Sequence, residues 1–69
     1  MSIAKVIEVL AEGSSIEKAI ENGVEEASRT VRNIRSVYVN DTQAVVRDGA
    51  VDKYRVNLKL TFVVTEDDD

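Results

Sequence analysis

Ile16, Ala19, Ile20, Val24, Ala27, Val31 and Ile34 recur at the spacing of one helical face, a stripe that follows a period of about 3.6 residues. The pattern predicts a single amphipathic helix over Ser14–Ile34. Gly13 breaks the segment before it, and Ser14 with Glu17 has the spacing of a Ser-x-x-Glu capping box, in which each side chain would reach the other residue's free backbone N–H. Glu17 and Glu21 fall near the positive end of the helix dipole and Arg29 and Arg32 near the negative end, with Glu25 and Arg29 spaced as an i,i+4 pair. These charges read as a solvated outer face. Gly23 lies on the apolar stripe, where it either admits a close neighbour or simply costs about 1 kcal/mol against alanine.

The flanking segments alternate with a period of two. Over Val51–Val64, Tyr54, Val56, Leu58, Leu60, Phe62 and Val64 point one way, and Lys53, Arg55, Asn57, Lys59 and Thr61 the other. One face of this strand should pack on the helix, while the polar row lines water, a pore or an interior. Over Arg35–Val46, Val37 and Val39 share a face with Arg35 and Asp41, opposite Ser36, Tyr38 and Asn40. The Ile3–Leu10 segment is apolar on both sides around Glu8. Asp48-Gly49 between the second and third strands is a strong antiparallel hairpin signal. The predicted order is β-α-β-β, an α+β layer of one helix on a three-stranded antiparallel sheet.

Composition narrows the chemistry. Neither cysteine nor histidine occurs, which removes the thiolate nucleophile, the usual neutral-pH general base and the commonest transition-metal ligand. With no nucleophile–base pair in view either, the chain reads as a non-enzyme. A net charge of −4 and three aromatic residues, two Tyr and one Phe, argue against nucleic acid, which selects basic surfaces and stacking rings. The apolar run at the N-terminus is interrupted by Lys5 and Glu8 and no long apolar stretch follows, so neither a signal peptide nor a membrane span is expected and a cytoplasmic location is. Residues 1–65 read as one domain and 66–69 as an acidic tail. A chain of 69 residues with one helix and three strands covers little of its own apolar surface, and without disulfides it should associate with copies of itself.

Three stretches, KVIEVLAEGSSIEKAI from Lys5, TVRNIRSVYV from Thr30 and YRVNLKLTF from Tyr54, in this order and spacing, resemble the dodecins, small flavin-binding proteins of strand-helix-strand-strand topology. The resemblance implies a hollow homododecamer whose sheets partly wrap the helices. It also implies flavin rings stacked between tryptophans of two-fold-related subunits, with a glutamine on the last strand bonding the ring edge. Such shells store or sequester riboflavin or FMN and quench its photochemistry without turning over a substrate.

Two positions depart from that pattern. The tryptophan would fall at Ser36 and the glutamine at Arg55. A hydroxymethyl group offers no flat surface, and a stacked ring is worth on the order of 1–3 kcal/mol. Tyr38, two residues along the same strand face, offers a ring in exchange, although a tyrosine buried at a subunit contact is the plainer reading. Arg55 could bond a carbonyl or phosphate in bidentate fashion; pairing with Glu8 or Asp41 is the plainer expectation. Ser36, Tyr38 and Arg55 are therefore the candidate ligand residues for a flavin held between subunits. Two alternatives stand beside this: a flavin-free shell binding calcium or magnesium through oxygen ligands such as Glu8, Asp41, Asp48 and Asp52, gathered across subunits, and a structural or protein-interaction module.

Overall fold

The computed structural model describes residues 2–66. Its elements are β1 (Ser2–Gly13), α1 (Ile16–Ala27), β2 (Ile34–Arg47) and β3 (Ala50–Glu66). The order is β-α-β-β, as the periodicities predict. β3 lies in the middle of the sheet, antiparallel to both neighbours, in the order β1-β3-β2. Its central place follows from its composition: Val56, Leu58 and Leu60 are fully buried, and no other strand carries so regular an apolar row. The β2–β3 hairpin turns at Asp48 (φ 52°) and Gly49 (φ 78°), two successive left-handed residues as a type I′ turn requires.

The helix is shorter than its apolar stripe. It is capped by Ser15, not Ser14: Ser15 is extended and its Oγ accepts a 3.0 Å bond from the Lys18 N–H. Lys18 therefore occupies the third helical position and the capping box with Glu17 does not form. At the far end, Arg29 N and Thr30 N bond three residues back to Glu26 O and Ala27 O, a tightened last turn, and Asn33 exits in the left-handed region at φ 63°. Val31 lies in this turn and Ile34 begins β2. Arg29 consequently lies past the helix and pairs with Glu26 at 3.4 Å in place of Glu25.

Helix and sheet approach closely because small residues meet there. Ala19 and Gly23 are buried against Ala11, Val56, Leu58 and Leu60, with Ile20, Val24, Val37 and Val39 packed around them. A Cβ on Gly23 would stand 2.6 Å from Leu58 Cδ1 and 3.0 Å from Ala11 Cβ. The glycine therefore serves contact between helix and sheet within one chain. Gly13 plays the same part at the strand end, where a Cβ would lie 2.6 Å from the Ala19 backbone nitrogen.

The strands run longer than the alternation alone indicates, and irregularities shift their faces. A register shift between Val39 and Asp41 inserts Asn40, so that Asp41 opposes Asn57 on the helix-free face and not the Val37 face. A second shift, between Ile34 and Ser36, likewise takes Arg35 out of simple alternation. Val64 is 51% exposed, because β3 continues past the residues that meet the helix. Glu66 pairs with Ser2 at the end of β3, so of the expected tail only residues 67–69 remain, and they lie outside the described residues.

The chain is elongated, 56 × 20 × 14 Å. Its buried apolar core among the described residues is Ala11, Ala19, Val56, Leu58 and Leu60, and Val6, Leu10 and Tyr38 stand more than half exposed on the helix-free side. Among the described residues no helix is long and apolar enough to cross a membrane.

Candidate functional site

The helix-free face of the sheet carries the candidate residues. In an antiparallel pair, directly opposed residues project on the same side, so the register assigns the face. Ser36 opposes Thr61 and Tyr38 opposes Lys59; Arg55 belongs to the same alternating row of β3, with Gln43 on one side and Glu12 on the other. Ser36, Tyr38 and Arg55 thus share one face, as the strand alternation predicts. They do not share one place. Thr61 and Arg55 are six residues apart on β3, roughly 20 Å at the rise of a strand, so Ser36 and Arg55 lie at separate stations, with Tyr38, opposite Lys59, between them at roughly 13 Å from Arg55.

Arg55 does not pair with Glu8 or Asp41. The register sets Glu8 opposite Lys59 and Asp41 opposite Asn57, and places Glu12 directly across from Arg55. Glu12 Oε2 accepts from Arg55 Nε at 2.8 Å and from Nη2 at 2.7 Å, while Oε1 lies 2.9 Å from Lys53 Nζ. One carboxylate therefore ties two cations of the polar row. The three side chains keep 37–39% of their surface exposed, so the cluster is accessible from solvent. Hydrogen bonds from Lys53 and then Arg55, aided by their positive charges, hold the Glu12 carboxyl below its ordinary range against the opposing effect of burial.

Glu12 is fixed from behind as well. Its carbonyl accepts a 2.9 Å bond from Asn22 Nδ2, which ties this point of β1 to the helix. The sequence contained the signal for Glu12, since it continues the Val6, Glu8, Leu10 alternation beyond Leu10. What was missing was the pairing of β1 with β3. Further along the same row, Asn57 Oδ1 is buried without a hydrogen-bond partner among the described residues.

The candidate calcium ligands stay dispersed. Asp48 is at the hairpin tip, Asp52 is the third residue of β3, and Glu8 and Asp41 oppose different residues of it; among the described residues no group of three or more acids is placed to hold a metal ion. A concavity of about 540 Å³ opens between β1 and α1, bordered by Ile7, Leu10, Asn22 and Val31. It touches none of Ser36, Tyr38 and Arg55, being the apolar gap where the helix leaves the edge strand, and the polar face is the better candidate for ligand chemistry.

Comparison with known proteins agrees with the architecture. The dodecin family model matches residues 3–65. Among solved structures, dodecin from Streptomyces coelicolor superposes with a TM-score of 0.88 at 30% identity, covering 96% of each chain. A Thermus thermophilus protein superposes at 0.89 with 22% identity, over 97% of this chain and all of its own. The Streptomyces davaonensis dodecin gives 0.88 at 24% identity, over 94% of this chain and 97% of its own. No individually curated protein matches.

Proposed function

The chain belongs to the dodecin family, whose members in general bind flavins, and from that premise we propose that it binds a flavin between copies of itself, without turning over a substrate. The observation that carries the reading is the common face of Ser36, Tyr38 and Arg55 together with their separation along β3. Ser36 and Arg55 stand too far apart along the sheet for one tricyclic ring to touch both within a chain, so a ligand touching both draws them from two subunits. The copies form a homododecameric shell, in keeping with the exposed Val6, Leu10 and Tyr38.

In this arrangement Tyr38, 64% exposed in the single chain, supplies the apolar ring surface that Ser36 lacks. Arg55 supplies N–H donors to the polar rim of the flavin. The flavin of this reading is riboflavin or FMN.

The test is titration of riboflavin fluorescence with the purified protein, alongside its molar mass by light scattering. Quenching that saturates, on a particle of about twelve chains, supports the reading. Unchanged fluorescence on a particle of that size refutes flavin binding while leaving the assembly standing.

A further inference from the structure

Arginine differs from an amide in what it can recognise. A carboxamide both donates and accepts, whereas a guanidinium only donates, through N–H groups in a rigid planar fork. In this chain one edge of the fork is already committed: Arg55 Nε and Nη2 both bond Glu12 Oε2, at 2.8 and 2.7 Å. Glu12 is itself restrained by Lys53 on its other oxygen and by Asn22 at its carbonyl. The other end of the fork, Nη1 with the second hydrogen of Nη2, has no partner among the described residues and is thereby held in one orientation on the exposed polar face.

We infer that Glu12 is the positioning residue that makes Arg55 a fixed two-donor fork, and that of the two adjacent acceptor pairs on a flavin, N1 with the C2 carbonyl and N5 with the C4 carbonyl, the fork recognises the N1 and C2 carbonyl pair. The inference rests on the reading that a flavin occupies this face. Two parallel N–H groups match two side-by-side acceptors. The neighbouring N3–H is a donor and finds nothing on a guanidinium to accept it, so the N3 edge is left to other contacts or to water. The N1 and C2 carbonyl edge also carries the negative charge of a reduced flavin, which a nearby cation favours.

Three probes separate this arrangement from a merely structural salt bridge. Riboflavin, 1-deazariboflavin and 3-methylriboflavin are titrated against the intact assembly and against its Glu12→Ala, Glu12→Gln and Arg55→Ala variants, each first shown by light scattering to keep the size of the parent. Loss of a charge-assisted hydrogen bond is worth about tenfold or more in affinity. The unaltered protein should bind 3-methylriboflavin nearly as well as riboflavin and 1-deazariboflavin about tenfold more weakly. Glu12→Ala and Arg55→Ala should lower riboflavin affinity by a similar factor or more and weaken 1-deazariboflavin, which keeps only the C2 carbonyl, by less, and Glu12→Gln, which keeps an oxygen acceptor for the fork, should recover most of the loss. Equal binding of riboflavin and 1-deazariboflavin, strong loss with 3-methylriboflavin, or a Glu12→Ala variant that weakens all three ligands alike would overturn the inference while flavin binding itself stands. If the unaltered protein does not bind riboflavin at all, the functional reading fails first and this inference with it.

Discussion

Glu12 and Arg55 face each other across the β1–β3 pairing, and a single oxygen of Glu12 accepts from two nitrogens of Arg55 at 2.7 and 2.8 Å. The contact joins the end of the first strand to the first third of the last. It also places a carboxylate within bonding distance of Lys53 and Arg55 together, so its ionisation is linked to folding.

The sign of that linkage follows from the direction of the shift. The folded protein holds the Glu12 carboxyl below its ordinary range, so Glu12 contributes stability that is fully present above the carboxylate pKa of the unfolded chain. The contribution disappears as pH falls through the depressed folded value. Because the group is solvent-accessible the effect is small. Thermal unfolding followed from neutral pH into acid should show a shallower decline for Glu12→Gln than for the parent; parallel curves would mean that the pair does not couple to folding.

Gly23 predicts a reversal of the usual helix rule. Alanine gains about 1 kcal/mol over glycine in a helix interior, yet here its Cβ would meet Leu58 Cδ1 at 2.6 Å. Leu58 is fully buried and cannot swing clear. Overpacking costs about 1–3 kcal/mol, so Gly23→Ala should lower stability by about 1 kcal/mol in chemical denaturation. Combined with Leu58→Val, which opens space at that contact, it should cost less than it does alone, which a double-mutant cycle would show as favourable coupling.

The two serines before the helix should separate cleanly. Ser15 Oγ accepts the Lys18 N–H, and losing such a cap costs about 1 kcal/mol. Ser15→Ala should show that loss in denaturant midpoint, whereas Ser14→Ala should fall within about 0.5 kcal/mol of the parent, as surface changes away from special features do. A larger loss for Ser14→Ala than for Ser15→Ala would return the cap to a Ser14–Glu17 box.

These two cases show where the sequence was readable. Asp48-Gly49 announced the hairpin because left-handed backbone has few other tenants, and Val56, Leu58 and Leu60 announced the buried face of β3 because alternation over so long a run has one explanation. The helix end was hidden: Val31 and Ile34 keep the helical spacing although the helix has already ended at Ala27 and the chain turns out at Asn33. Asp41 was assigned to the wrong face because one inserted residue, Asn40, reverses everything after it. Arg55 was legible as a candidate, and its true partner was not, since Glu12 meets it only once β1 is known to lie beside β3.

Ser36 is exposed on an edge strand, so a large side chain there need not disturb the core. Ser36→Trp restores a flat surface, and stacking of this kind is worth on the order of 1–3 kcal/mol, or about tenfold in affinity. Riboflavin should bind the variant at least that much more tightly. Unchanged affinity in a variant of unchanged size would place the ring elsewhere than beside Ser36.

The central claim, a flavin held between copies of this chain, is tested most directly by sedimentation velocity of the protein with riboflavin, followed at the visible absorbance of the flavin. The account predicts that the flavin signal moves with a single boundary of about twelve chains. A chain that sediments as a single copy, or a flavin signal that stays behind while the protein boundary moves, would contradict it.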